Sequence, residues 1–225
     1  MNKFIVSALL VGAAVTAQAA SAAAFFEGNS PAIDNKVKAF SDASHPDNGA
    51  SVFGITTTES ALVKFTGNTT VHVTSGSGYA QINDPTVNAS PWNTLTIALD
   101  NYAFGFNAIE FSLQFNNADV SNQNPGTLTV TANFLSGLPE VFLVSDFKNP
   151  ANRSFYLTAS PGQVFKSIIL SSGSDRLDQV KQVDITLAAA PPPAVPEPAS
   201  WALMIAGMAV TGAAMRRRAK NVQFA

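Results

Sequence analysis

The chain has 225 residues, with 13 Lys and Arg against 15 Asp and Glu, no Cys, and a charged fraction of only 12%. This fraction is less than half the usual value of about 25%, and it excludes a disordered polyelectrolyte and a nucleic-acid binder. The lack of Cys excludes a disulfide scaffold, thiol chemistry and Cys-based zinc sites.

The N-terminus has the layout of a secretory signal peptide, with one positive charge, an apolar run and a stretch of small residues that ends at Phe25-Phe26. Two cleavage patterns of the A-x-A type occur, Ala17-Gln18-Ala19 and Ala20-Ser21-Ala22. We expect the mature chain to start between residues 20 and 24, and we assign residues 1–23 to the leader. An uncleaved anchor is disfavoured because the apolar run is short of the roughly 20 residues that a bilayer needs.

Residues 24–190 form the body and show the two-residue alternation of half-buried strands. It is clearest from Ala108 to Phe115, where the apolar side chains point one way and Glu110, Ser112 and Gln114 the other. Turn-forming Gly, Pro, Asn and Ser separate the strands. The same pattern predicts further strands at residues 61–65, 70–74, 94–99, 127–132, 140–144, 154–158, 164–170 and 181–187.

About nine short strands without a long helical period predict an all-β fold, an antiparallel β-sandwich of jelly-roll type. One short helix is predicted around Pro31 to Phe40, where Ile33, Val37 and Phe40 stand at helical spacing. The predicted core consists of six inward-facing side chains, Phe111, Leu113, Val130, Phe155, Ile168 and Ile185.

Residues that could carry chemistry are few, and we expect no enzyme, no catalytic residue and no cofactor. His45 and His72 do not stand at metal-binding spacing. The loop at residues 41–49 offers oxygen ligands of the type that calcium uses, but without EF-hand spacing, so a solvated loop is favoured over structural calcium. Glu110 projects from a strand as a glycosidase carboxylate would, although that chemistry needs a second carboxylate across a cleft.

Aromatic side chains gather between residues 79 and 106, and at strand spacing most of them belong to a core. Trp92 and Tyr102 are predicted to be exposed, so that a sugar ring could stack on them. The body holds 8 basic and 14 acidic residues, which argues against nucleic acid or an anionic polysaccharide as partner.

A proline-rich spacer at residues 191–198 separates the body from an uncharged segment at residues 199–215 and a basic tail at residues 216–225. As a helix, the uncharged segment spans roughly 25 Å, slightly short of a hydrocarbon core of about 30 Å. We predict a single transmembrane helix with the basic tail in the cytoplasm. A buried core helix is the alternative, which the flanking arginines and prolines disfavour.

Nine residues give this C-terminus a family resemblance: Pro196, Glu197, Pro198, Trp201, Gly207, Gly212, Arg216, Arg217 and Arg218. Their combination resembles the PEP-CTERM sorting tail of Gram-negative bacteria, in its PEPxxWA variant, although Ala209 stands where a second Gly is usual. The resemblance implies cleavage by an exosortase near the Pro-Glu-Pro motif, after transit through the inner membrane. It also implies a final place at the cell surface or outside the cell, usually in bacteria that make exopolysaccharide. The same tail is described as an ice-binding-protein C-terminal domain, a label that says nothing about ice for this body.

Together these features predict an exported surface or extracellular-matrix protein whose body is an adhesive or glycan-associated module, with exopolysaccharide or envelope glycan as partner. A secreted hydrolase acting on polysaccharide is one alternative. A purely structural matrix subunit is another.

Overall fold

The structure is a computed structural model that describes residues 22–30, 33, 35–83, 92–101, 104–115, 125–147, 152–173, 175–189 and 204–209. The chain divides into two units, residues 1–190 and residues 191–225. In the second unit residues 204–209 are helical. Among the described residues, no helix has the length and apolar character that crossing a bilayer needs. Most of the predicted span at residues 199–215, and the leader up to residue 21, lie outside the described residues.

The first unit is built of β-strands, which confirms the predicted fold class. Twelve strands occur within the described ranges: β1 (Ala23–Glu27), β2 (Val37–Phe40), β3 (Asn48–Thr56), β4 (Leu62–Gly76), β5 (Tyr79–Asn83), β6 (Thr94–Leu99), β7 (Phe104–Phe115), β8 (Gly126–Phe134), β9 (Glu140–Phe147), β10 (Arg153–Ala159), β11 (Phe165–Ser171) and β12 (Leu177–Ala189). The two segments predicted at residues 61–65 and 70–74 are parts of the single strand β4. Strands β1, β2, β3 and β5 were not predicted.

All strand pairings are antiparallel, in the order β1-β10-β7-β12-β5-β4-β6-β11-β8-β9, with β3 pairing to β4 and β2 to β3. Strand β4 makes the bend, because residues 63–67 pair with β6 and residues 72–76 pair with β5. Phe106 of β7 also pairs with Phe165 of β11. The sheet therefore folds over on itself as a continuous network.

The two halves of the folded sheet enclose one hydrophobic core. Phe147 of β9 lies with its ring centroid 4.6 Å from that of Phe115 and 5.6 Å from that of Phe155, so residues of β7 and β10 meet β9 across the core. The six predicted core residues are all fully buried, which confirms them. Each such side chain contributes about 1.5–3 kcal/mol through the apolar surface it removes from water.

The predicted helix around Pro31 to Phe40 is wrong, because the described part of this stretch ends in strand β2. Val37 to Phe40 pair with residues 53–56 of β3, and Val37 is fully buried. The β-branched side chain of Val37 suits a strand, and the ladder to β3 gives the backbone hydrogen bonds that a short isolated helix would otherwise supply.

Between β1 and β2 the structure describes residues 28–30, 33, 35 and 36, which we call the crossing segment. The N–H of Gly28, at φ +117°, donates to the carbonyl of Ser154 on β10 at 2.8 Å. Further along, the carbonyl of Asn35 accepts from the N–H of Ile185 on β12 at 3.1 Å. The crossing segment thus bonds to β10 at its start and to β12 at its end, and Ser30 between them bonds to Glu110 of β7.

Candidate functional site

A cavity of about 570 Å³ is bounded by residues at the ends of several strands. We call it the Phe104 cavity, and its lining consists of Glu59, Ser60, Ala61, Leu62, Leu99, Asp100, Asn101, Phe104, Leu187 and Ala188. These residues come from the β3–β4 turn, the end of β6, the start of β7 and the end of β12. Its volume lies within the 300–1,000 Å³ typical of sites for small ligands.

Backbone hydrogen bonds hold the rim of the cavity in place. The N–H of Asp100 donates to the carbonyl of Leu62 at 3.0 Å, which joins the end of β6 to the start of β4. The N–H of Phe104 donates to the carbonyl of Asn101 at 3.3 Å and so closes the short connection between β6 and β7. Phe104 is the first residue of β7 and pairs with Ala189. Its ring lies at the margin of the sheet and is 52% exposed.

The chemistry of the lining combines an apolar surface with oxygen and amide groups. Leu62, Leu99, Phe104 and Leu187 supply the apolar part. Two carboxylates, one hydroxyl and one amide supply hydrogen-bond acceptors and donors, at Glu59, Asp100, Ser60 and Asn101. An aromatic face beside such groups suits a molecule with one C–H-rich face and hydroxyls around its edge.

The predicted exposure of Trp92 is wrong. Its side chain is 0% exposed, and its backbone bridges to Leu177, whose N–H donates to the carbonyl of Trp92 at 2.9 Å. Trp92 therefore belongs to the core and cannot stack on a ligand. Tyr102 lies outside the described residues, although its neighbours Asn101 and Phe104 line the cavity. The exposed aromatic residue at the cavity is Phe104, which the sequence pattern did not single out as exposed.

In the loop at residues 41–49, the carboxylate of Asp42 is bonded to other residues of the same loop. Oδ1 of Asp42 accepts from the N–H groups of Ser44 and His45 and lies 2.8 Å from Nδ1 of His45. The His45 ring contact, followed by the Ser44 N–H, holds the pKa of Asp42 below its usual value. Within the described ranges, no three Asp, Glu or His side chains come together to hold a metal ion.

Glu110 is buried rather than exposed, and a second carboxylate lies opposite it. Its side chain is 9% exposed, and its position on β7 pairs with Asp184 on β12, which is also buried. Residues directly opposite each other in an antiparallel pair point to the same side, with Cβ atoms about 4.5–5.5 Å apart. Burial raises the pKa of Glu110, and the N–H of Ser30 in the crossing segment partly opposes this by donating to its carboxylate. Neither carboxylate lines the Phe104 cavity.

The comparison with protein families concerns the second unit. A family model described as the PEP-CTERM protein-sorting motif matches residues 194–218. The chain carries a PEP-CTERM sorting motif. All nine residues on which the resemblance was based fall within the match, and of these only Gly207 is among the described residues. The PEP-CTERM motif is a signal for processing by an exosortase, and it implies an exported protein.

For the chain as a whole, no curated protein matches the sequence. Among solved structures, CBM29_1, a family 29 carbohydrate binding module from Piromyces equi, matches 74% of this chain and 91% of its own. The identity is 12% and the TM-score is 0.30. A likeness of this degree carries no functional argument.

Proposed function

We propose that this PEP-CTERM protein is a surface or extracellular-matrix protein that passes through the inner membrane. The N-terminal leader directs export, and the segment at residues 199–215 anchors the chain until an exosortase cleaves near Pro196-Glu197-Pro198. The sorting motif at residues 194–218 and the basic cluster after the apolar segment support this course. The body is then released or attached at the outer surface.

We propose further that the body is not an enzyme and that it binds a neutral glycan in the Phe104 cavity. The observation that carries this proposal is the exposed Phe104 ring on an apolar surface, beside the oxygen and amide groups of Glu59, Asp100 and Asn101. A pyranose ring packs its C–H face on an aromatic ring and gives its hydroxyls to acceptors at the edge. Two carboxylates in the lining repel an anionic sugar, which agrees with the excess of acidic residues in the body.

The test is a glycan array, followed by binding titration of the mature protein with the neutral polysaccharides that it binds on the array. We expect Phe104→Ala to weaken binding by about tenfold or more, since a central aromatic contact is commonly worth 1.4 kcal/mol or more. Phe26→Ala is the matched control, because Phe26 is a 45% exposed phenylalanine that does not line the cavity. Equal glycan affinities of wild type and Phe104→Ala would show that the Phe104 cavity is not the binding site.

The competing function is hydrolysis of polysaccharide, and the opposed carboxylates Glu110 and Asp184 favour it. A carboxyl with a raised pKa beside a second one is the arrangement that acid–base cleavage of a glycosidic bond uses. The N–H of Ser30 is bonded to Glu110, so a substrate that uses this carboxyl must displace that bond. Release of reducing sugar by wild type and its loss in Glu110→Gln would establish the hydrolase. If the protein shows neither binding nor turnover, the remaining candidate is a purely structural subunit.

A further inference from the structure

The start of the body lies against a carboxylate that is distant in the sequence. Glu140, the first residue of β9, accepts the N–H of Ala22 through Oε1 at 2.5 Å and the N–H of Ala23 through Oε2 at 2.9 Å. One side chain thus receives two consecutive backbone donors at the point where the leader ends. If the chain is cut between Ala22 and Ala23, a positively charged ammonium group takes the place of these two amide donors.

Ala23 belongs to the folded body. It is the first residue of β1, its backbone pairs with Ala159 on β10, and its side chain is buried in the hydrophobic core. A leader of residues 1–23 would therefore remove one residue of the sheet. The small-residue pattern Ala20-Ser21-Ala22 ends immediately before this strand.

We propose that the leader is removed between Ala22 and Ala23 and that the new amino terminus forms an ion pair with Glu140. This inference rests on the export step of the proposed function. A signal peptidase adds water across the Ala22–Ala23 peptide bond, which leaves a carboxylate on Ala22 and an amine on Ala23. An α-amino group has an ordinary pKa of about 7.7–8.0, so this amine takes up a proton at neutral pH.

The cut replaces neutral hydrogen bonds with a charge-assisted one. Before cleavage Glu140 receives two amide N–H groups, and after cleavage it receives an ammonium with three donors, which can serve both carboxylate oxygens. Charge-assisted hydrogen bonds are roughly twice as strong as neutral ones. The backbone bond from the N–H of Ser160 to the carbonyl of Ala22 is lost in exchange.

The position of the pair gives it a structural role. Strand β1 and strand β9 stand at the two ends of the strand order. The rings of Phe25 and Phe142, each two residues further along its strand, stack at 5.3 Å, so the two ends already meet through apolar contact. An ion pair between Ala23 and Glu140 therefore fastens the two free edges of the sheet to each other, and only the processed chain has it.

Mass spectrometry of the N-terminus of the exported protein is the first test, and we expect Ala23 as the first residue. A start at Ala20, from cleavage after Ala17-Gln18-Ala19, would place the ammonium up to about 10 Å of chain away from Glu140 and would overturn this inference alone. A protein that keeps its whole leader would overturn the export step as well.

Thermal unfolding of the mature protein and of Glu140→Gln between pH 6 and pH 10 is the second test. The nearby carboxylate raises the pKa of the folded ammonium, so its stabilisation is complete below about pH 8 and is lost as the pH rises through that raised pKa. We expect Glu140→Gln to lower the Tm by about 3–8 °C at pH 7 and by less at pH 10. The control is the same pair of proteins with Gly-Ser added before Ala23, in which this dependence on pH should vanish. A Tm difference that is the same at every pH, with and without the extension, would contradict the ion pair.

Discussion

The backbone N–H of Ser30 donates to Oε2 of Glu110 at 2.8 Å, although the two residues are 80 positions apart. This bond joins the crossing segment to β7, where Glu110 is 9% exposed. Burial raises the pKa of Glu110 and outweighs the opposite effect of the Ser30 bond. Folding therefore disfavours the charged form of this carboxyl relative to the unfolded chain.

Replacing Glu110 with Gln removes this charge and keeps an acceptor for Ser30. Because the pKa in the folded state is raised above the ordinary value of 4.5, Glu110 makes the protein most stable below that value, and stability falls as the pH rises through the raised pKa. We expect Glu110→Gln to unfold at a Tm equal to or above that of wild type at pH 7, with the gain disappearing towards pH 4. Glu59→Gln is the control for the loss of one negative charge. A lower Tm for Glu110→Gln at pH 7 would show that the carboxylate stabilises the fold.

The burial of Trp92 leads to a second prediction. Among the described residues its indole N–H finds no acceptor, so its contribution comes from packing. We expect Trp92→Ala to lose about 3–5 kcal/mol of stability, a fall of about 6–20 °C in Tm. Trp92→Phe should lose less, because it leaves a smaller cavity and removes an N–H that has no acceptor among the described residues. The other tryptophan, Trp201, lies in the uncharged segment outside the body, so the fluorescence of the isolated body reports Trp92. Rapid quenching by acrylamide would contradict the burial of Trp92.

A matched pair of leucines tests the core. Leu113 on β7 is fully buried and Leu143 on β9 is 70% exposed. Leu113→Asp buries an unpaired charge at a cost of several kcal/mol, against a total stability of about 5–15 kcal/mol, and should prevent folding. Leu143→Asp should stay within about 0.5 kcal/mol of wild type. Circular dichroism and solubility measure both, and a cooperative unfolding transition in Leu113→Asp would contradict the assigned core.

The fourth prediction concerns the sorting motif. We expect the exosortase to recognise Pro196-Glu197-Pro198, because the two prolines hold the backbone around Glu197 in an extended conformation. Glu197→Ala should then leave export intact and accumulate an uncleaved, membrane-bound form in the native host. Changing the arginines at 216–218 should instead weaken retention during transit. Intact mass and cell fractionation measure both. Wild-type protein that keeps its C-terminus through Ala225 in the inner membrane would show that the tail is a plain anchor.

Local alternation was sufficient to predict much of the sheet. Ile109, Phe111 and Leu113 face the core as their spacing predicted, because a strand places every second side chain on one side. The turn at Gly76-Ser77-Gly78 was also predictable. Ser77 and Gly78 have φ values of +52° and +83°, as a two-residue hairpin turn requires. Each of these features depends on a few neighbouring residues.

The remaining features depend on residues far apart in the sequence. Glu110 and Ser112 occupy the polar side of β7, yet both are buried. Ser112 donates to Gln182 at 2.8 Å, and Glu110 lies beneath a segment from the start of the body. The cavity was missed for the same reason, because its lining comes from four separate parts of the chain. The one signal that could have predicted Phe104 to be exposed is its position at the very start of a strand.

Leu187 and Ala188 line the Phe104 cavity, and β12 ends one residue later at Ala189. Any recombinant form of the body that stops there and continues into a purification tag would attach foreign residues next to the cavity for which we propose glycan binding. The native proline-rich stretch through residue 198 should therefore be kept as a spacer before a tag. Binding constants measured on shorter forms would describe the tag as well as the protein.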